Sequence, residues 1–169
     1  MTRYDKTHEY KMIDYLIKRG ATLIEHFGDR HQKSGDFLMD YHGVKLRCDH
    51  KSCHQDLDFM RVQKTWMVKL IKENTSIGTE GVVLKRAVIP IPIITISLFG
   101  QRDRWCLVDS SFVKGKPESQ QILSSDWSWR VPIIYLKNSP VILLGGSDYL
   151  MSVDVLLRMI DKGDINNGY

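Results

Sequence analysis

"GDFLMDYHGVKLRCDHKS", residues 35–52, alternates apolar and polar side chains on both sides of His42-Gly43. A two-residue loop ending in glycine between two such runs reads as a tight hairpin turn, because the favoured turn needs positive φ at its central residues. With His42 and Gly43 as the loop, Tyr41 faces Val44, Met39 faces Leu46, Phe37 faces Cys48 and Asp36 faces Asp49. Phe37, Met39, Tyr41, Val44, Leu46, Cys48 and His50 then share one face, expected to be core. Asp36, Leu38, Asp40, Lys45, Arg47, Asp49 and Lys51 share the other, and Asp40 opposite Lys45 suits water. Asp36 opposite Asp49 does not: like charges with Cβ atoms about 5 Å apart repel. A divalent cation reverses that penalty, and Mg²⁺ takes only one or two carboxylates while keeping several waters. Lys51 projects to the same side, where its charge can orient a water and stabilise a developing anion.

Upstream, Met12, Ile13, Leu16 and Ile17 recur at helical spacing over 7–19, and Gly20 supplies a stop. Glu9 precedes Met12, Ile13 and Leu16 by three, four and seven residues, which puts a carboxylate on the buried stripe, where it needs a partner. Glu25 is its rival: a first helix running through Gly20 would bring Glu25 near the aspartates, but Gly20 and the β-prone "TLI" favour Glu9. "ATLIEHF" reads as a strand and "GDRHQKSG" as a glycine-bounded polar loop. Downstream, a helix is expected over about 55–73, with Leu57, Phe59, Met60, Trp66, Met67, Leu70 and Ile71 inward and Gln63 beside them. "GVVLKRAV", "IITISLF" and "RWCLVD" are strand-like. Residues 110–129 read as loop, "VPIIYL" and "PVILL" as strands, and 147–160 as a closing helix. This order makes an α/β sandwich rather than an alternating dinucleotide-binding pattern.

A chain of 169 residues with 43% hydrophobic content is sized for one domain with a real core. Lys and Arg exceed Asp and Glu by 24 to 20, a balance that permits a polyanionic partner without requiring one. Three cysteines, an odd number, do not suggest a disulfide framework, and the charged amino terminus lacks the apolar stretch of a secretory signal. The longest apolar run, 87–99, is too short to span a bilayer and contains Pro90 and Pro92. A cytoplasmic location, associated with a nucleoid where the host is a cell, and no membrane partner are therefore expected.

Asp36, then Asp49-x-Lys51, resembles the motif of the PD-(D/E)XK nuclease superfamily, with Gly35 standing where a proline often sits. Within it, "EYKMIDYLIKRGATLIEHFG" followed by "SGDFLMDYHGVKLRCDHKS" is similar to the archaeal-type Holliday junction resolvases over about 9–109. The resemblance implies a restriction-endonuclease-like mixed β-sheet flanked by helices over 1–109, with 110–169 as a C-terminal extension on the same domain. It implies Asp36 and Asp49 as Mg²⁺ ligands, with Mn²⁺ able to substitute, Glu9 completing the metal site, Lys51 acting on the attacking water, and Gln63 close by. Arg30, Lys33 and Ser34 in the loop, with Lys64, would contact DNA, and the enzyme would be a homodimer cutting a four-way junction. Cutting of linear DNA, as by restriction, repair or RecB-like nucleases, and DNA binding without catalysis are the alternatives. His50 occupies a slot that is usually apolar in this family.

Other residues have plainer readings. Cys48, His50, Cys53 and His54 are soft ligands, but their spacing matches no zinc knuckle, so buried thiol and hydrogen-bonded imidazole are favoured. Trp127 and Trp129 could stack on bases, yet packing is the commoner use of tryptophan. Arg61, Lys69 and Lys72 are ordinary helix-face cations on the plain reading; on a DNA-binding reading they, with Arg102, Arg104, Lys114 and Lys116 from loops, would meet phosphate without base preference.

Overall fold

The structure, a computed structural model, describes residues 3–27, 35–53, 58–64, 93–98, 104–115, 117, 119–122, 128–145 and 148–166. The chain opens with helix α1 (Arg3–Lys18). Met12, Ile13 and Leu16 are buried on its inner stripe, whereas Ile17, expected beside them, is exposed. The helix stops at Gly20, whose φ of +103° lets Ala21 N donate to Leu16 O at 3.0 Å. Strands β1 (Thr22–His26), β2 (Phe37–Tyr41) and β3 (Val44–Cys53) follow as an antiparallel meander. The turn between β2 and β3 is His42-Gly43, with φ of 49° and 88°, and the expected register holds from Phe37↔Cys48 to Tyr41↔Val44.

Next come β4 (Phe59–Gln63), β5 (Ile93–Leu98), β6 (Arg104–Asp109), a 3-10 turn at Ser110–Phe112, β7 (Gln120–Ile122) and β8 (Ser128–Pro132). Helix α2 (Ile133–Asn138), β9 (Val141–Leu144), β10 (Asp148–Ser152) and helix α3 (Val153–Asp161) end the described chain. The protein is thus mixed α/β and mostly strand. Among the described residues, eight strands form one sheet in the order β1-β2-β3-β5-β6-β10-β9-β7, and β4 pairs with β8 as a separate ribbon. Contacts β3–β5 and β7–β9 are parallel and the rest antiparallel. Strands β7, β9 and β10, all after Asp109, extend the sheet that the first strands begin.

The sheet is covered on both sides, which explains the unbroken apolar runs of its inner strands. Cys106, Val108, Tyr149 and Met151 pack toward α1 and α3, while Trp105, Leu107, Ile142, Leu144 and Leu150 pack toward the β4–β8 ribbon and α2. No described helix is long and apolar enough to cross a membrane.

Several expectations are corrected. Residues 59–63 form a strand, not helix: Met60 and Val62 alternate inward against Val131 and Trp129, and cross-strand packing outweighs the helical spacing. Gln63 is therefore the last residue of β4, opposite Ser128, and Arg61 lies in the same strand opposite Arg130. "VPIIYL" is largely helical, entered directly after Pro132, whose fixed φ suits a helix start. The closing helix begins only at Val153, because Asp148 to Met151 are buried between β6 and β9 and Ser152 Oγ caps the helix by accepting from Val155 N. Within 110–129, the 3-10 turn, β7 and the start of β8 replace part of the expected loop. Leu38 and Arg47, on the hairpin face that carries the aspartates and Lys51, are buried, with the Arg47 guanidinium 5.4 Å over the Phe27 ring.

Candidate active site

Strand β3 outruns β2. Beyond Cys48 its other neighbour is β5, with Asp49 beside Ile94 and Lys51 beside Ile96. On the β2 side the ladder is broken by Gly35, whose φ of +87° turns the chain so that Asp36 N donates to Cys48 O at 2.7 Å. The Asp36 carboxylate then takes the role of a strand carbonyl, its Oδ2 accepting from His50 N at 2.6 Å. Asp36 O in turn accepts from Phe27 N at 2.9 Å, which ties the end of β1 to the same point.

That anchoring holds Asp36 7% exposed and within hydrogen-bonding reach of the Asp49 side chain. Burial is the main cause that pushes the Asp36 carboxyl up to about 8, and the charge of Asp49, their shared hydrogen bond and the charge of Glu9 push the same way. Only the His50 N–H opposes them. Lys51 Nζ lies 3.1 Å from Asp49 Oδ2, so Asp49 carries a cation, while the charges that push on Asp36 are those of Asp49 and Glu9.

Glu9 comes from α1 and is 2% exposed. Its Oε2 hydrogen-bonds His26 Nε2, and its Oε1 is buried with no hydrogen-bond partner among the described residues. A buried carboxylate oxygen without a donor is costly and calls for a proton or a cation. Glu25, the rival, is exposed on β1. The reason is a bulge: Leu23 pairs with Met39 and Glu25 with Leu38, leaving Ile24 as the extra residue. Without it Glu25 would stand opposite Phe37 on the α1 side. With it His26 does.

The expected residues thus divide. Asp36, Asp49 and Lys51 are brought together from the entry to β2 and from β3, and the charge of Glu9 on α1 acts on Asp36. Gln63 ends β4, in the ribbon that covers the face of the sheet to which the register through Ile94 and Leu107 assigns Asp49, and its cross-strand neighbour is Ser128. Lys64 stands 5.2 Å over the Trp129 ring, and Trp129 itself is buried core. Arg30, Lys33, Ser34, Trp127 and the stretch "GVVLKRAV" lie outside the described residues. Cys48 points into the core beside Cys106, and burial raises its thiol well above the ordinary value, away from the thiolate that zinc needs. His26 carried no signal in the sequence, because plain alternation along β1 points it the other way.

Among the described residues, no group of three His, Cys, Asp or Glu side chains is placed to hold a metal ion. Mg²⁺ asks for less, one or two carboxylates with water elsewhere. The donor chemistry fits that demand: two carboxylates kept close against their repulsion, and the unpartnered Glu9 Oε1, whose charge Asp36 feels. Comparison with models of known families, with curated proteins and with solved structures finds no match to this chain.

Proposed function

We propose that this protein is a divalent-metal-dependent phosphodiester hydrolase of the PD-(D/E)XK kind, with a restriction-endonuclease-like core, that nicks branched DNA as a homodimer. The observation that carries the reading is the Asp36–Asp49 carboxylate pair, with Lys51 on Asp49 and the charge of buried Glu9 acting on Asp36. The order α1, β1, β2, β3, with Glu9 on the helix and the acidic-x-lysine strand paired to the aspartate strand, is the order the family resemblance implies.

Asp36 and Asp49, with Glu9, would hold Mg²⁺, which when bound supplies positive charge to the reacting phosphate. Lys51, anchored 3.1 Å from Asp49, orients the attacking water and adds charge where the anion develops. Asp36 is kept in place by the His50 and Phe27 backbone N–H groups, so the acid that binds does not have to reorganise. A two-fold dimer would present two such sites to the two strands that a symmetric junction offers.

The test compares wild type with Asp49→Ala on a labelled four-way junction, a linear duplex and a single strand, in Mg²⁺, Mn²⁺ or EDTA. Paired nicks confined to the junction, lost in EDTA and in the variant, support the proposal. Cutting of linear duplex alone keeps the hydrolase and replaces the substrate, while binding with no cleavage under any metal overturns the catalytic reading. In the same assay Lys51→Ala is expected to slow cleavage about 10²-fold. Junction binding, followed by mobility shift in Ca²⁺, should stay within about twofold, since one cation among many contributes little to affinity.

A further inference from the structure

We propose that the outer face of the β4–β8 ribbon is a contact for the nucleic-acid backbone, with Arg61 and Arg130 together holding phosphate. This rests on the reading above, in which DNA is the substrate, and assigns a role to two residues outside the motif.

The ribbon presents one face to the sheet and one to solvent. Along Phe59–Gln63 and Ser128–Pro132 the side chains alternate, so Met60, Val62, Trp129 and Val131 are buried in the core, while Arg61 and Arg130 project to the other side and are exposed. The register sets these two arginines directly opposite each other. Cβ atoms of such a pair lie about 5 Å apart, and like charges so placed are destabilising. Neither FMRVQ nor SWRVP contains an acidic residue. The Arg130 guanidinium lies 4.4 Å over the ring of Phe59, two residues before Arg61 and on the same face of β4.

A polyanion laid across both arginines turns their opposition from a cost into an attraction. Guanidinium matches phosphate oxygens with parallel N–H donors, and a fork already stacked on an aromatic ring loses less freedom when it binds. A two-stranded ribbon is also a shape that the major groove of a duplex admits. The ribbon stands on the side of the sheet that carries the aspartate and lysine of β3. Asp49 lies beside Ile94 and Ile94 beside Leu107, while Lys51 lies beside Ile96 and Ile96 beside Trp105. Leu107 and Trp105 both pack toward the ribbon, whereas α1 and α3 cover the other face. The exposed cations Lys18 and Arg158 belong to those two helices.

The experiment follows DNA binding of the full chain by fluorescence anisotropy in Ca²⁺ over a range of salt. It compares wild type, Arg61→Gln/Arg130→Gln, and Lys18→Gln/Arg158→Gln, which removes the same charge from the other side. Each phosphate contact contributes about 0.9 to the slope of log K against log salt, so the ribbon variant is expected to flatten that slope by about 2, each single ribbon variant by about 1, and the helix variant by much less. Affinity at low salt should fall about 10-fold in the ribbon variant, alike on every sequence, while its cleavage rate in Mg²⁺ at saturating DNA stays within about twofold of wild type. Arg61→Lys/Arg130→Lys, which keeps the charge and loses the fork, should retain the slope and lose only part of the affinity. Thermal unfolding checks that each variant is folded, and the single variants serve where the double is not. Equal changes in the ribbon and helix variants overturn the proposal, because net charge rather than the ribbon would then set affinity. An unchanged slope in the ribbon variant with normal metal-dependent cutting overturns it and leaves the hydrolase reading standing. Loss of polyglutamate binding with DNA binding intact also overturns it, in favour of an acidic polypeptide. Wild type that binds DNA through the ribbon and cuts nothing in any metal supports the ribbon contact and sinks the hydrolase reading alone.

Discussion

In EDTA at pH 8, Asp36→Asn is expected to unfold at a higher temperature than the wild type, although the same substitution is expected to abolish the proposed cleavage. Burial, reinforced by Asp49 and Glu9, pushes the Asp36 carboxyl from 3.8 up to about 8. An unfolded chain releases that proton near its ordinary value while the folded protein keeps it. Between those two pH values the folded state binds more protons, so stability falls as pH rises from about 4 to about 8. A shift from 3.8 to about 8 corresponds to something on the order of 5 kcal/mol at the upper end of that window.

Asn is neutral at every pH and its carbonyl can still accept from His50 N, so it keeps the anchor and removes the penalty. For a chain of this size that amounts to a gain in Tm on the order of 10 °C. Part of the slope should survive in the variant and end near pH 7, because burial and the charge of Asp109 push Asp148 to about 7. Mg²⁺ should stabilise the wild type at pH 8 and have little effect on the variant. Cleavage should fall at least about 10³-fold, since one of the two aspartates proposed to hold the cation is gone. Thermal unfolding from pH 4 to 9 with and without Mg²⁺ checks all of this, and a variant less stable than wild type at pH 8 would falsify the account.

The second large effect is expected at Gly35. A Cβ there would lie 2.6 Å from the Cys48 carbonyl oxygen, and the residue sits at φ +87°. Neither neighbour can yield easily, because Cys48 O already accepts from Asp36 N at 2.7 Å and Asp36 O holds Phe27 N at 2.9 Å. Gly35→Ala combines left-handed strain of about 1–2 kcal/mol with that clash, for a total of about 3 kcal/mol or more. Gly43→Ala is the internal control: φ is +88°, but nothing stands within 4 Å of the added Cβ. It should cost about 1 kcal/mol, the backbone contribution alone. Chemical denaturation of the two variants separates them, and equal losses would show that the close approach at Cys48 is unimportant. The same geometry explains why a proline does not precede this aspartate: its ring fixes φ near −65°, the wrong sign for this turn.

The parts of the site that were legible are those fixed by period and turn chemistry. His42-Gly43 set the register of β2 and β3, and helical spacing put Glu9 on the buried stripe of α1. What escaped reading depends on events a linear pattern does not contain. One inserted residue at Ile24 exchanges Glu25 for His26 on the inner face, and nothing in "TLIEH" announces it. Phe59 to Gln63 satisfies a helical stripe as well as a strand, and only the distant partner Ser128–Pro132 decides between them. Met and Leu in 148–152 lie in a strand buried between two others, where an apolar run has no period to reveal its state.

The strand order gives the chain a schedule. Strand β10 lies between β6 and β9, so β9 and β7 reach the large sheet only through a strand that follows both in sequence. The half bearing the carboxylates can assemble from near neighbours as it leaves the ribosome, while that end of the sheet waits for residues 148–152. Until they arrive β6 presents an open, apolar edge, the kind of surface on which nascent chains pair with each other. Synthesis past Ser152 is thus the step that closes the molecule, and chains stalled before it should be the ones that aggregate.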